Sequence, residues 1–159
     1  TIPNDKAKYV VTTLTDYNKD EVLDLKLLQL LDSNYERVFF WPQGLGDYEY
    51  LMRLVQNIKI NLEIIRPNLR SFDSILDNEE IDYVGTRLHA GIRAIQKSVR
   101  TFIVAIDNRT KEISKDINLN SAERLDFDHL KNFINTKTEN QLVIPYNQIE
   151  DWKSQFRDF

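Results

Sequence analysis

Arg87 and His89 stand two residues apart in Gly85-Thr86-Arg87-Leu88-His89, and Asp107-Asn108-Arg109 follows after an apolar run. A histidine titrates near neutral pH and can give or take a proton. An arginine offers a planar fork of N–H donors that suits carboxylate and phosphate. Together these side chains describe an anion site with a proton-transfer group beside it. Two plainer alternatives stay open on the residues alone. His89 could be a solvated or cap-satisfying histidine at a helix end, and Arg87 a surface ion-pair partner of Asp82 or Asp107.

Chemistry of this kind needs elements that carry distant residues to one place. Short β-branched or aromatic runs alternate along the chain with longer amphipathic ones. Strands are expected at Tyr9–Thr15, Arg37–Trp41, Ile60–Ile65, Ile81–Val84 and Thr101–Ile106. Helices are expected at Lys19–Leu31, Asp47–Val55, Ser71–Leu76, Arg87–Lys97 and Thr110–Ile117. From Ser121 the remainder, 121–159, reads as a helical tail of the same domain, with helices at Asp128–Thr136 and Asn147–Phe156. Apolar strands alternating with helices imply a doubly wound α/β domain over 1–159, its mainly parallel sheet covered on both faces. The four glycines and four prolines are expected mostly at the junctions where such a fold turns.

Open parallel sheets bind ligands beyond the carboxyl ends of their strands. The expected rim is therefore Thr15-Asp16, Gln43-Gly44, Arg66, Gly85-Thr86-Arg87 and Asp107-Asn108-Arg109. It carries three arginines although the chain is acidic overall. Gly85 is expected to turn the chain out of its strand and Thr86 to cap the next helix. That helix would turn Leu88, Ile92 and Ile95 to the sheet and leave His89 near the mouth, on the flank of Arg93. The positive end of its dipole favours an anion and disfavours an imidazolium.

A formal net charge of -4 gives no basic face for general nucleic-acid binding. Cysteine is absent, which removes disulfides, thiolate metal sites and thiol nucleophiles together. No apolar run approaches the ~20 residues that cross a bilayer. The start, Thr1-Ile2-Pro3-Asn4, lacks both an initiator Met and a signal-peptide pattern, as a piece of a longer protein would.

Residues 85–113, GTRLHAGIRAIQKSVRTFIVAIDNRTKEI, resemble the signature region of the polysaccharide pyruvyl transferase family. There a Gly-Ser/Thr-Arg-Leu-His segment opens a helix of the C-terminal domain, and a strand ending in an Asp-containing motif follows. The resemblance implies one Rossmann-like half of a glycosyltransferase-B type fold. It implies a transferase that moves pyruvate from phosphoenolpyruvate to a saccharide as a ketal, in cell-surface polysaccharide biosynthesis. His89 would be the catalytic acid or base. Arg87 would hold phosphoenolpyruvate, amid Gly85, Thr86, Leu88, Asp107, Asn108 and Arg109. Gln43, Gly44 and Asp47 stand where the family has a Gln/Asp-containing segment, and Gln43 and Gly44 are carried over as substrate contacts. Where relatives place a lysine after the aspartate, Arg109 and Lys111 both follow here. Phosphoenolpyruvate is then the donor substrate, with no cofactor and no metal. The partners would be the saccharide acceptor and an N-terminal domain that forms the other wall of the cleft. Location would be cytoplasmic, or peripheral to the membrane through a lipid-linked acceptor. This chain alone is expected to keep the fold and little or no transferase activity.

Other signals count for less. Asp126-Phe127-Asp128-His129 looks like a metal-binding DxD, yet Asp128 reads better as a helix cap. Trp152, Phe156 and Phe159 read as tail packing. The competing enzyme is a nucleotide-sugar glycosyltransferase, whose C-terminal domain shares this architecture, with Glu112 as a ribose-binding acid. A non-catalytic anion-binding α/β module is the third reading.

Overall fold

Valines and aromatics that crowd a helix fit a pleated strand, and the chain uses them there. In the computed structural model, which describes residues 2–137 and 146–155, strands and helices alternate. The order is β1 (Tyr9–Thr12), α1 (Glu21–Asn34), β2 (Arg37–Phe40), α2 (Leu45–Val55), β3 (Leu62–Ile64) and α3 (Leu69–Asn78). It continues with β4 (Ile81–Gly85), α4 (Leu88–Gln96), β5 (Arg100–Ala105), α5 (Asn108–Asp116), β6 (Ser121–Glu123), α6 (Phe127–Asn135) and α7 (Tyr146–Ser154). All pairings are parallel, and the six-stranded sheet runs β3-β2-β1-β4-β5-β6. This is the doubly wound, Rossmann-like arrangement the alternation predicts.

Successive strand residues face opposite sides, and each side carries its own core. Val11, Phe39, Tyr83 and Ile103 pack under Phe72 of α3, Leu88 and Ile92 of α4, and Trp152 of α7. Val10, Phe40, Val84 and Phe102 meet Leu28 and Leu31 of α1, Leu51 of α2, and Phe133 of α6. Leu28, Leu31 and Leu51 are fully buried, each contributing about 1.5–3 kcal/mol of apolar transfer. The stripe Leu88, Ile92, Ile95 does face the sheet, all three being buried.

Two expectations are corrected. Ser121–Glu123 is not part of a helical tail: it pairs with β5 as an edge strand, Val104 opposite Ala122. Two half-buried residues and an exposed glutamate, without a β-branched run, carry no strand signal, so the pairing is imposed by β5. The cap of α6 is Asp126, not Asp128; it accepts the His129 N–H at 3.2 Å. Three of the four glycines stand at junctions as expected, Gly44 and Gly46 at the start of α2 and Gly85 at the end of β4, and none has positive φ. Asn18, Ser98 and Asn118 take the left-handed positions, with Ser98 and Asn118 just beyond α4 and α5. Phe156 and Phe159 lie outside the described residues. Among the described residues, no helix is long and apolar enough to cross a membrane.

Candidate active-site cleft at the strand switch point

Between β1 and β4 the connections diverge, because β1 leads toward β2 and β4 toward β5. Such a switch point leaves a crevice outside the carboxyl edge of the sheet. Here it is a cleft of about 240 Å³. Thr15 and Tyr17 reach it from the β1 loop, Gln43 from the β2 loop, and Thr86 to His89 from the start of α4. Asp107, Arg109 and Thr110 come from the start of α5, and Trp152 and Gln155 from the end of the chain.

The expected rim is broken into separate hollows. Gly44 and Arg66 do not reach this cleft; they line an apolar hollow of about 380 Å³ beyond β2 and β3. Asn108 and Lys111 line a third hollow, of about 190 Å³, beyond β5 and β6. Leu88 lines the main cleft while burying most of its side chain in the core.

Gly85 is required by close approach and not by a turn. A Cβ there would sit 2.5 Å from the Thr13 hydroxyl oxygen and 2.7 Å from the Tyr83 hydroxyl. Thr13, Tyr83 and Arg87 form a small network across that contact. The Thr13 and Tyr83 hydroxyls lie 2.6 Å apart, Tyr83 donates to the Arg87 carbonyl at 2.8 Å, and the Arg87 N–H donates to Thr13 at 3.3 Å. Thr86 is not the cap expected of it. Its N–H and hydroxyl both donate to the Thr13 carbonyl, at 3.2 and 3.4 Å.

Arg87 occupies the cap position of α4 in extended conformation and makes no side-chain cap bond. The first-turn N–H groups of α4 therefore lack a side-chain acceptor, at the wall of the cleft. By contrast, Asp107 caps α5 by accepting the Thr110 N–H at 2.7 Å. One of its oxygens is thus committed to structure.

The Arg87 side chain pairs with neither Asp82 nor Asp107. Its Nη2 donates to Asp47 Oδ1 at 2.6 Å and lies 3.9 Å from Asp16. Asp82 is instead the buried partner of Arg100, and Arg93 pairs with Asp73. His89 is half-buried in the same cleft, its ring nearly parallel to that of Trp152 at a centroid distance of 6.3 Å. Among the described residues its nitrogens have no hydrogen-bond partner in the protein, so they are available to a ligand. Burial holds its pKa below the usual imidazole range, with the Arg109 guanidinium adding to the effect. The helix dipole is not needed to account for the direction. A folded-state pKa below the unfolded one gives a stability contribution that is full above about pH 6.5 and lost as pH falls.

Sequence reasoning missed Thr13 and Tyr83, whose hydroxyls set the entry to α4. It read Trp152 only as packing. The ring is buried, edge-on to Trp41 at 6.2 Å, yet it also walls the cleft. No spacing signal could have found it, because it arrives from a helix beyond the last strand. Glu112, the candidate ribose acid, is exposed and does not line the cleft. Among the described residues, no three His, Cys, Asp or Glu side chains gather as a metal site would need. Compared with known proteins, the chain matches no family model, no curated protein and no solved structure.

Proposed function

We propose that this chain is the donor-binding half of a pyruvyl transferase that moves pyruvate from phosphoenolpyruvate to a saccharide as a ketal. The observation that carries the reading is the sharing of one cleft by an unbonded imidazole, Arg87, Arg109 and the uncapped start of α4. Phosphoenolpyruvate brings roughly two to three negative charges, which helix amides and guanidinium groups can bind. Its methylene carbon must gain a proton so that C2 becomes electrophilic. One sugar hydroxyl then adds at C2, phosphate departs, and a second hydroxyl closes the ketal. Of the two hydroxyl protons, one balances the new methyl group and the other the released phosphate. A neutral histidine that becomes charged only beside a bound anion suits such a proton transfer.

The acceptor saccharide, lipid-linked or free, would enter from the side that an N-terminal domain closes, at a cytoplasmic location.

The test is a titration of the labelled chain with phosphoenolpyruvate, inorganic phosphate, UDP and GDP, followed by amide shifts. Saturable shifts at Gly85 to His89 and at Arg109 are expected with phosphoenolpyruvate, weaker ones with phosphate. Tighter binding of UDP or GDP at those amides would replace this reading by a nucleotide-sugar glycosyltransferase.

A further inference from the structure

The anchoring of Arg87 carries an inference that deepens the proposed function and rests on the cleft being an anion site. Asp47 sits in the first turn of α2, 1% exposed, where the helix dipole favours a carboxylate. Both its oxygens are engaged: Oδ2 accepts the Gln43 N–H at 3.0 Å and Oδ1 accepts Arg87 Nη2 at 2.6 Å. The Arg87 backbone is held independently, by Tyr83 of β4 and Thr13 after β1. Connections from β1, β2 and β4 therefore converge on one arginine. Its Nε is buried with no hydrogen-bond partner among the described residues.

We propose that Asp47 is a positioning residue: it pins the Arg87 guanidinium to the cleft wall at the cost of part of that arginine's attraction for an anion. A pinned guanidinium loses little rotamer freedom when a ligand arrives. The opposing carboxylates of Asp47 and Asp16 offset its charge, which leaves the exposed Arg109 and the start of α4 to draw the anion in. Burial pushes the Asp47 carboxyl upward, while Arg87 and the Gln43 N–H pull it back.

Removing the charge while keeping the shape separates orientation from affinity. In Asp47→Asn, the dissociation constants for inorganic phosphate and phosphoenolpyruvate should fall roughly three- to tenfold. At the same time the Arg87 Nε–Hε signal should lose its slow exchange and broaden. A residue that only supported the fold would weaken binding when replaced. Asp16→Asn, at a half-exposed carboxylate, should tighten binding about twofold or less and leave that signal sharp. If Asp47→Asn does not fold, Asp47→Ser must show the same pair of changes. Unchanged or weaker binding in the folded variant, or an unaltered Arg87 signal, overturns the proposal. Binding of neither anion by the native chain overturns the anion-site reading and this inference with it. Binding by the native chain with an unchanged constant in the variant overturns the inference alone.

Discussion

Arg100→Met is expected to destabilise the chain by about 3–5 kcal/mol, a large part of the roughly 5–15 kcal/mol that holds a domain folded. Arg100 is the most completely buried cation described, its side chain fully shielded from solvent. Its Nη1 donates to Asp82 Oδ2 at 2.9 Å, Nε to the Asn4 carbonyl at 3.2 Å, and Nη2 to the carbonyls of Phe133 and Thr136. The guanidinium also lies over the Phe133 ring, 3.8 Å from its centroid. One side chain thus ties β4, β5, α6 and the N-terminal segment together. Removing it leaves Asp82 buried without a cation, although the Tyr35 hydroxyl stays 2.7 Å away, and leaves several carbonyls without a donor. Burial already pushes the Asp82 carboxyl upward, so the stranded group should protonate at a cost in stability. Urea unfolding measures the loss. The double variant Arg100→Met with Asp82→Asn should recover much of it, because no uncompensated charge remains. A loss of about 1 kcal/mol or less in the single variant would mean the pair is replaceable by packing alone.

The second large effect is on chemistry. If the proposed function holds, then in the enzyme completed by the N-terminal domain which that reading implies, His89→Gln should lower turnover by roughly 10²- to 10⁴-fold, the usual scale of general acid–base catalysis. Glutamine keeps a polar side chain of similar reach, so Leu88 and Ala90 on either side, both buried, should pack as before. Thermal unfolding should change little, and so should the affinity for phosphoenolpyruvate near about pH 8, where the imidazole is neutral; toward about pH 6 the variant should lose the tightening of the native chain. A kcat within about threefold of the native value would remove His89 from the proton-transfer step.

The contrast between these residues shows what a sequence can carry. The strand and helix runs were legible because local patterning survives without tertiary context: the β-branched and aromatic pairs Val10-Val11 and Phe39-Phe40 favour strand, and each pair is split between the two cores. The positions of Arg87, His89 and Arg109 at one edge followed from strand ends alone. Pairing did not. Asp82 looked like a surface partner for Arg87, yet it lies opposite Arg100 in the β4–β5 register. Only the sheet order makes those two residues neighbours. Thr86 looked like a cap, but Gly85 lets the backbone run so close to Thr13 that both Thr86 donors are used there. The edge strand β6 and the Trp152 wall are imposed by neighbours distant in sequence, and leave no local pattern.

Everything chemical depends on a bound anion lying against the His89 imidazole. The direct measurement is the proton titration of His89 by its ring C–H resonance, with and without saturating phosphoenolpyruvate, using the His129 resonance as internal control. Without ligand the midpoint should lie below the ordinary value of about 6.5, because the residue is half-buried and feels the Arg109 charge. With ligand it should rise by about a unit or more, since an opposite charge within a few ångströms favours the imidazolium. Binding should correspondingly tighten as pH falls from about 8 to about 6. A His89 midpoint unmoved at saturation would place the anion elsewhere and contradict the account.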